Sequence, residues 1–271
     1  MIKFLAKGLI RDRSRSLFPL LTIIITVTLV IFGIGFMEGA MNNFLQSTAV
    51  ISSGHVKVVT KAYEKESSQL PNDLALFETN KIIQNLSDLY PNYFWTPRIT
   101  FGGLLDTPNE DGDTKEQGPV FGIGIDFHSK TSRQIEIWEL EKYLLHGNLP
   151  KNTNDALIST KLAKQLSVNV GSTVTLISTT MDNAFTTYNF EITGIFNLNK
   201  GQVDRQMMLV DISGARQALG MEGAASEILG YHQSLYYNDN EATSMRNDFN
   251  STISDSITKV LRDEASYDAL S

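Results

Sequence analysis

Between Leu17 and Met37 the chain reads LFPLLTIIITVTLVIFGIGFM, 21 residues without a charge. At about 1.5 Å of rise per residue, such a helix spans roughly 31 Å, the thickness of a bilayer's hydrocarbon core. A segment of this length and apolarity is expected to cross a membrane, because buried helices of water-soluble proteins are shorter and amphipathic. Thr22, Thr26 and Thr28 suit a helix in lipid, since a threonine hydroxyl bonds back to the carbonyl one turn earlier. Pro19 is expected in the first turn, where its missing N–H costs little.

The flanks set the orientation. Residues 1 to 16 hold Lys3, Lys7, Arg11, Arg13 and Arg15 against Asp12, a net charge of +4, whereas the first charge after the span is Glu38. By the positive-inside rule the N-terminus is cytoplasmic and everything after about residue 40 lies outside. Ile2, Leu5, Leu9 and Ile10 fall near one helical face, which suits an interfacial helix over 1–16 on the cytoplasmic leaflet. A cleaved signal peptide is the competing interpretation. Its apolar core would be shorter, and the best cleavage candidate, Gly39-Ala40, comes late and after a glutamate. Gly35 and Gly39 form a G-x-x-x-G pair, a weak sign of a close helix contact.

Beyond the span lie 18 basic and 29 acidic residues, a net charge of −11 that is poorly suited to nucleic acid. The absence of cysteine excludes disulfides, thiolate metal sites and a cysteine nucleophile, and points to a bacterial envelope protein held by its core. Seven prolines and 19 glycines among many Asn, Ser and Thr residues suggest mixed α and β structure with numerous turns.

Asn42 to Val50 reads as a helical stalk broken by Ser53-Gly54, and His55 to Thr60 alternates as a half-buried strand does. A helix is expected at Thr79 to Tyr90, capped by Thr79 and closed by Pro91. Pro97 to Leu105 and Gly118 to Asp126 read as strands, with Asp106 to Gln117 as a long exposed hairpin loop. A second unit opens at Leu144. It contains the apolar run Ala156–Ile158, a helix capped by Ser159 with Leu162, Ala163 and Leu166 on one side, and the strand Thr173–Ile177. The antiparallel partner of that strand is Tyr188–Phe196, joined to it by Ser178 to Thr187. A strand Gln206–Val210 leads into a helix Ser213–Leu219 ended by Gly220. From Asp239 a recurrence of Ala242, Met245, Phe249, Ile253 and Ile257 describes an amphipathic helix of about 25 residues.

Taken in order, the basic N-terminal helix, one span, Ser53-Gly54-His55-Val56, Pro97-Arg98, Gly122-Ile-Gly-Ile-Asp126, His146-Gly147-Asn148-Leu149-Pro150, Asp155-Ala-Leu-Ile158, Lys161-Leu-Ala163, Val170-Gly171 and Ile192-Thr-Gly-Ile-Phe196 resemble the MacB/FtsX-like ABC transporter permeases, a group that includes the lipoprotein-releasing permeases. The resemblance covers residues 1 to about 235. It implies an α+β fold: a transmembrane helix at 17–37, a periplasmic mixed α/β core domain of two subdomains at 38–238, and an amphipathic helix at 239–271 returning towards the membrane. Three later spans of that family are missing, so the sequence reads as a fragment of a permease or as a truncated gene product, the fragment being favoured.

The implied function is that of a permease subunit in the bacterial inner membrane, in which ATP hydrolysis drives periplasmic motion by mechanotransmission and moves a lipoprotein or other envelope substrate. The implied partners are a cytoplasmic ABC ATPase, a second permease copy, membrane lipid and a lipoprotein or periplasmic partner. A single-span, membrane-anchored periplasmic binding or sensor module is the alternative.

The residues supply no chemistry of their own. There is no Walker A sequence, so ATPase activity is expected in a separate subunit and the chain itself is not read as an enzyme. Gly122-Ile-Gly124 is a lone G-x-G inside a strand. His55, His128, His146 and His232 are far apart in sequence and read as surface or turn residues rather than a metal site. No G-x-S-x-G elbow occurs. Glu38 is read as a solvated helix-end carboxylate, with substrate contact as the other option, and Arg98 and Asp126 as structural ion-pair and turn residues. No residue is assigned a catalytic, cofactor-binding or metal-binding role.

Overall fold

The computed structural model describes residues 13–108, 114–129, 132–198 and 205–253. The chain divides into two units, Met1–Thr48 and Ala49–Ser271. In the first, one helix, α1 (Arg13–Thr48), contains the segment Leu17–Asn42, which is long and apolar enough to cross a membrane. Its large side chains, Phe18, Ile31, Phe36 and Met37 among them, are exposed on all sides, whereas a core helix buries at least one stripe. Thr22 Oγ1 donates to the Phe18 carbonyl at 2.9 Å and Thr26 Oγ1 to the Thr22 carbonyl at 2.7 Å. Pro19 is interior to the helix rather than in its first turn, because the helix extends back to Arg13. Of the interfacial helix expected over 1–16, residues 1–12 lie outside the described residues.

The second unit opens with a π-helical turn (Ala49–Ser53) and Gly54, whose φ of +66° redirects the chain. There follow β1 (Val56–Val58), α2 (Lys61–Glu66), α3 (Thr79–Leu89), β2 (Tyr93–Pro108), β3 (Thr114–Ile125), α4 (Gln134–Ile137), α5 (Leu140–Tyr143) and β4 (Leu144–Gly147). Next come β5 (Asp155–Ser159), α6 (Thr160–Gln165), β6 (Thr173–Thr179), β7 (Phe185–Phe196), β8 (Met207–Asp211), α7 (Ile212–Leu219), β9 (Glu227–His232) and α8 (Asp239–Asp248), with a second π-helical turn over Phe249–Ile253.

The strands bond in the order β1-β9-β2-β3-β8-β5-β7-β4, and β6 joins β7 back to β2. Six of them therefore close a ring, β2-β3-β8-β5-β7-β6, which leaves no free edge between its members. Phe101, Leu105, Leu176, Phe190, Ile192 and Val210 from the ring form one buried cluster with Leu162 of α6, Leu166 just after it, and Ala215 and Leu219 of α7. The alternating side chains Ile123, Ile125, Leu157 and Leu209 turn the other way and pack with Trp138, Phe196 and Tyr231. β2 belongs to two sheets. Tyr93–Arg98 pairs with β9, and from Ile99 onward the strand pairs with β3. The smaller sheet β1-β9-β2 carries a third cluster, in which Trp95, Val58 and Ile228 meet Ile82 and Leu86 of α3.

Several expectations hold at the level of single bonds. Ser159 Oγ accepts from Leu162 N at 3.3 Å at the start of α6. The helix read at Ser213–Leu219 is α7, which Gly220 ends with a φ of +66° as expected, while its start is capped by Asp211, a residue not singled out in the sequence, whose Oδ1 accepts from Ser213 N at 2.9 Å. Others require correction. Thr79 does not cap α3: it is the first helical residue, and its hydroxyl donates to the Gly223 carbonyl at 3.1 Å, a tertiary tie that wins over the cap.

The hairpin loop read at Asp106–Gln117 is mostly strand, since Asp106 pairs with Gln117 and Thr107 with Glu116. Thr107 Oγ1 sustains the ladder there, donating to the Glu116 carbonyl and accepting from its N–H. Residues 109–113 lie outside the described residues. The connection read at Ser178–Thr187 also shortens, because pairing continues to Thr179 opposite Phe185. Of the long C-terminal amphipathic helix, Asp239–Asp248 is α-helical and Phe249–Ile253 forms the π turn, with residues 254–271 outside the described residues.

Candidate functional site

The second unit begins with the Ala49–Ser53 turn, and α8 lies near the end of its described part; the turn is fastened to β2 and β9, and α8 to β2 and to Tyr90 just before that strand. Arg98 and Glu227 face each other across the β2/β9 ladder and are almost fully buried. Arg98 Nε and Nη2 both reach Glu227 Oε1, at 2.7 and 2.6 Å, and Lys57 Nζ lies 3.2 Å from Glu227 Oε2. Arg98 Nη1 donates to the Ile51 carbonyl at 2.7 Å, so the same guanidinium that neutralises Glu227 grips the entry turn. Tyr231 Oη donates to the neighbouring Val50 carbonyl at 3.0 Å.

At α8, Tyr93 Oη donates to Glu241 Oε1 and Tyr90 Oη to Asp248 Oδ2, each at 3.2 Å. Burial, reinforced by those carboxylates, pushes both phenols up to about 12, so they remain donors at any ordinary pH. The arrangement offers no nucleophile beside a base. It can tie both chain passages to β2 or to the segment just before it.

His55 sits between these passages. Its Nδ1 accepts the His232 backbone N–H at 3.1 Å, and its ring lies edge-on to Tyr231 and Tyr237, with centroids 5.6 and 6.0 Å away. Burial, then the charge of His232, lowers its pKa to about 4 against an opposing pull from Glu241. The ring is therefore neutral at pH 7. The sequence reading of four separate surface or turn histidines thus needs correction at His55, which is buried and bonded to the backbone of His232. His128 Nε2 lies 3.5 Å from Asp211 Oδ2, and His146 is an exposed residue of β4. Among the described residues no three His, Asp or Glu side chains are grouped so as to hold a metal ion.

The remaining residues weighed in the sequence take structural places. Asp126 Oδ1 accepts the His128 and Ser129 N–H groups at 3.0 and 2.7 Å, closing a turn after β3. A Cβ on Gly122 would lie 2.0 Å from the Phe101 ring, and one on Gly124 would lie 2.7 Å from Ala215 Cβ. The G-x-G pair therefore makes room for packing rather than for a phosphate. Glu38 is exposed on α1. Sequence reasoning missed Glu227, Lys57, Tyr90 and Tyr93. One signal was available: Glu227 is the lone charge in AASEILGYH, and a charge inside an apolar strand demands a partner.

Residues 16–270 match the family model of the MacB-like periplasmic core domain. Among solved structures, the periplasmic region of MacB from Actinobacillus actinomycetemcomitans is similar at 14% identity and a TM-score of 0.44, over 76% of this chain and 82% of that one. No curated protein matches the chain.

Proposed function

The chain belongs to the family of the MacB-like periplasmic core domain, and from that premise we propose that it acts as a permease subunit of a MacB/FtsX-like ABC transporter. In this reading the bulk of the second unit is periplasmic and the N-terminus cytoplasmic, in keeping with the +4 flank before the span. ATP is hydrolysed by a cytoplasmic partner subunit, since this sequence has no Walker A loop. A second permease copy completes the assembly. Motion of the helices in the membrane reaches the periplasmic domains through the segments that enter and leave them, and a lipoprotein or other envelope substrate moves in response.

The observation that carries the proposal is the family match over residues 16–270, which includes a segment able to cross a membrane. The ties at Arg98 and Tyr93 support the mechanical part. A force on a loosely held entry turn would be spent on local unfolding, whereas a turn bonded to a buried ion pair passes displacement to the sheet.

The test is purification from the native membrane through an N-terminal tag, followed by spin-label distances between copies in nanodiscs. The absence of native cysteine allows a single label at Leu145→Cys. An ATPase subunit should co-purify, and the distance should change between the nucleotide-free and ADP-vanadate states. Failure to recover any ATPase overturns the permease reading; recovery with an unchanged distance overturns the mechanical coupling.

A further inference from the structure

Between β1, α2 and α8 lies a groove of about 370 Å³, within the size range of small-ligand sites. Its lining is rich in rings: Tyr63, Tyr90, Trp95, Tyr237, Phe249 and His55. Its charged lining is balanced, with Lys57 and Arg246 set against Glu64 and Asp239, so it favours neither an anion nor a cation. Two of the ring residues carry a buried polar atom with no hydrogen-bond partner among the described residues, His55 Nε2 and Trp95 Nε1. Each of these residues is only 6% exposed.

Trp95 Nε1–H can only donate. His55 Nδ1 is already an acceptor for His232 N–H, so the proton of the neutral ring resides on Nε2, which therefore also donates. Buried donors without partners are rare and costly, and these two call for the same complement, an acceptor oxygen. Both atoms are shielded from solvent, so a ligand reaches them only when a wall of the groove yields, and α8 forms one such wall. That wall is held by the Tyr93–Glu241 and Tyr90–Asp248 hydrogen bonds, whose 3.2 Å lengths lie at the long end of the range.

We propose that this groove binds an uncharged, largely apolar small molecule with carbonyl-type acceptor oxygens, its flat faces against the rings and its oxygens on His55 Nε2–H and Trp95 Nε1–H. The groove's chemistry is independent of the transport reading, and its test does not involve an ATPase.

The full chain in lipid nanodiscs, labelled with fluorotryptophan, gives one fluorine NMR signal from each of its two tryptophans, Trp95 and Trp138. Trp138→Phe assigns them. The probes are acetophenone and ethylbenzene, equal in shape but differing in the carbonyl oxygen. Acetophenone should shift the Trp95 signal saturably and bind about fivefold more tightly than ethylbenzene, the ratio that one net hydrogen bond supplies. Thr243→Phe, which fills the groove from α8, should abolish the shift; Ala242→Leu serves the same purpose if Thr243→Phe disturbs the Trp138 signal. Equal binding of the two probes overturns the proposal and leaves the donors resting on ring faces. A shift of both tryptophan signals in proportion to probe, no shift at all, or a shift that survives both groove-filling variants also overturns it.

Discussion

Arg98→Met removes the guanidinium from a buried carboxylate and from the entry turn at once. Glu227, 4% exposed at its side chain, would then face Lys57 at 3.2 Å, and the Ile51 carbonyl would lose its 2.7 Å donor. Breaking a buried ion pair from one side costs about 3–5 kcal/mol, and the retained Lys57 brings the expectation to about 3 kcal/mol. For a domain of this size that is a fall of about 6–12 °C in the melting midpoint. Intrinsic fluorescence is the appropriate signal, because Trp95 and Trp138 are both buried in the second unit. Arg98→Met/Glu227→Leu should recover at least half of the loss, since no unpaired carboxylate remains and Lys57, 36% exposed, can turn to water. Hydrogen exchange in residues 49–58 should rise more than in β5 or β8. A midpoint within about 2 °C of the parent, or a double variant no better than the single one, would refute the reasoning.

A pH series tests His55. Its folded-state pKa of about 4 lies below the ordinary 6.5, so above pH 6.5 both states are neutral and stability is unaffected. As pH falls from 6.5 to 4 the unfolded state protonates first and the folded state is progressively destabilised; below 4 the penalty is constant. His55→Asn, whose Oδ1 can still accept from His232 N–H, should lose less of its midpoint across that window, and parallel curves would contradict the assignment. Gly122→Ala would set a Cβ 2.0 Å from the Phe101 ring and should cost about 3 kcal/mol in denaturant unfolding, whereas at Gly102 the nearest atom is 3.9 Å away. Gly102→Ala should therefore stay well below half that cost, and Phe101→Leu should relieve Gly122→Ala; equal costs at the two glycines would refute the packing argument. A single cysteine at the exposed Leu145 should react with a membrane-impermeant maleimide in intact spheroplasts, and protection until lysis would reverse the proposed orientation.

What could be read in the sequence was what depends on neighbours along the chain. The α1 span follows from its length, the α6 and α7 termini from Ser159 and Gly220, and β6 and β7 from their alternation. β9 escaped because Glu227–Tyr231 is wholly buried, which erases the period of two, and, unlike the equally buried β8, it interrupts its apolar run with a charge and a glycine. The extra length of β2 and β3 escaped because Asp106 to Gln117 has the composition of a turn, and only the Thr107–Glu116 bonds show that the pairing persists. Gly122 and Gly124 were legible as glycines but not as clearances, since the Phe101 ring and Ala215 approach them from other parts of the chain.

The junction was the least legible part, because its bonds join residues that composition cannot pair: Arg98 to Glu227, Tyr231 to Val50, Tyr90 to Asp248. Their placement nevertheless follows a logic. Arg98, which holds the entry turn, and Tyr93, which holds α8, lie on β2 about 17 Å apart along an extended strand. Within the transport reading, a relative displacement of the two chain passages therefore loads that short stretch of β2. The next residue, Ile99, is where β2 leaves β9 and joins β3 in the ring. A strand shared by both sheets cannot shift in one without disturbing its hydrogen-bond register in the other, so the load passes from the entry and exit ties into the ring.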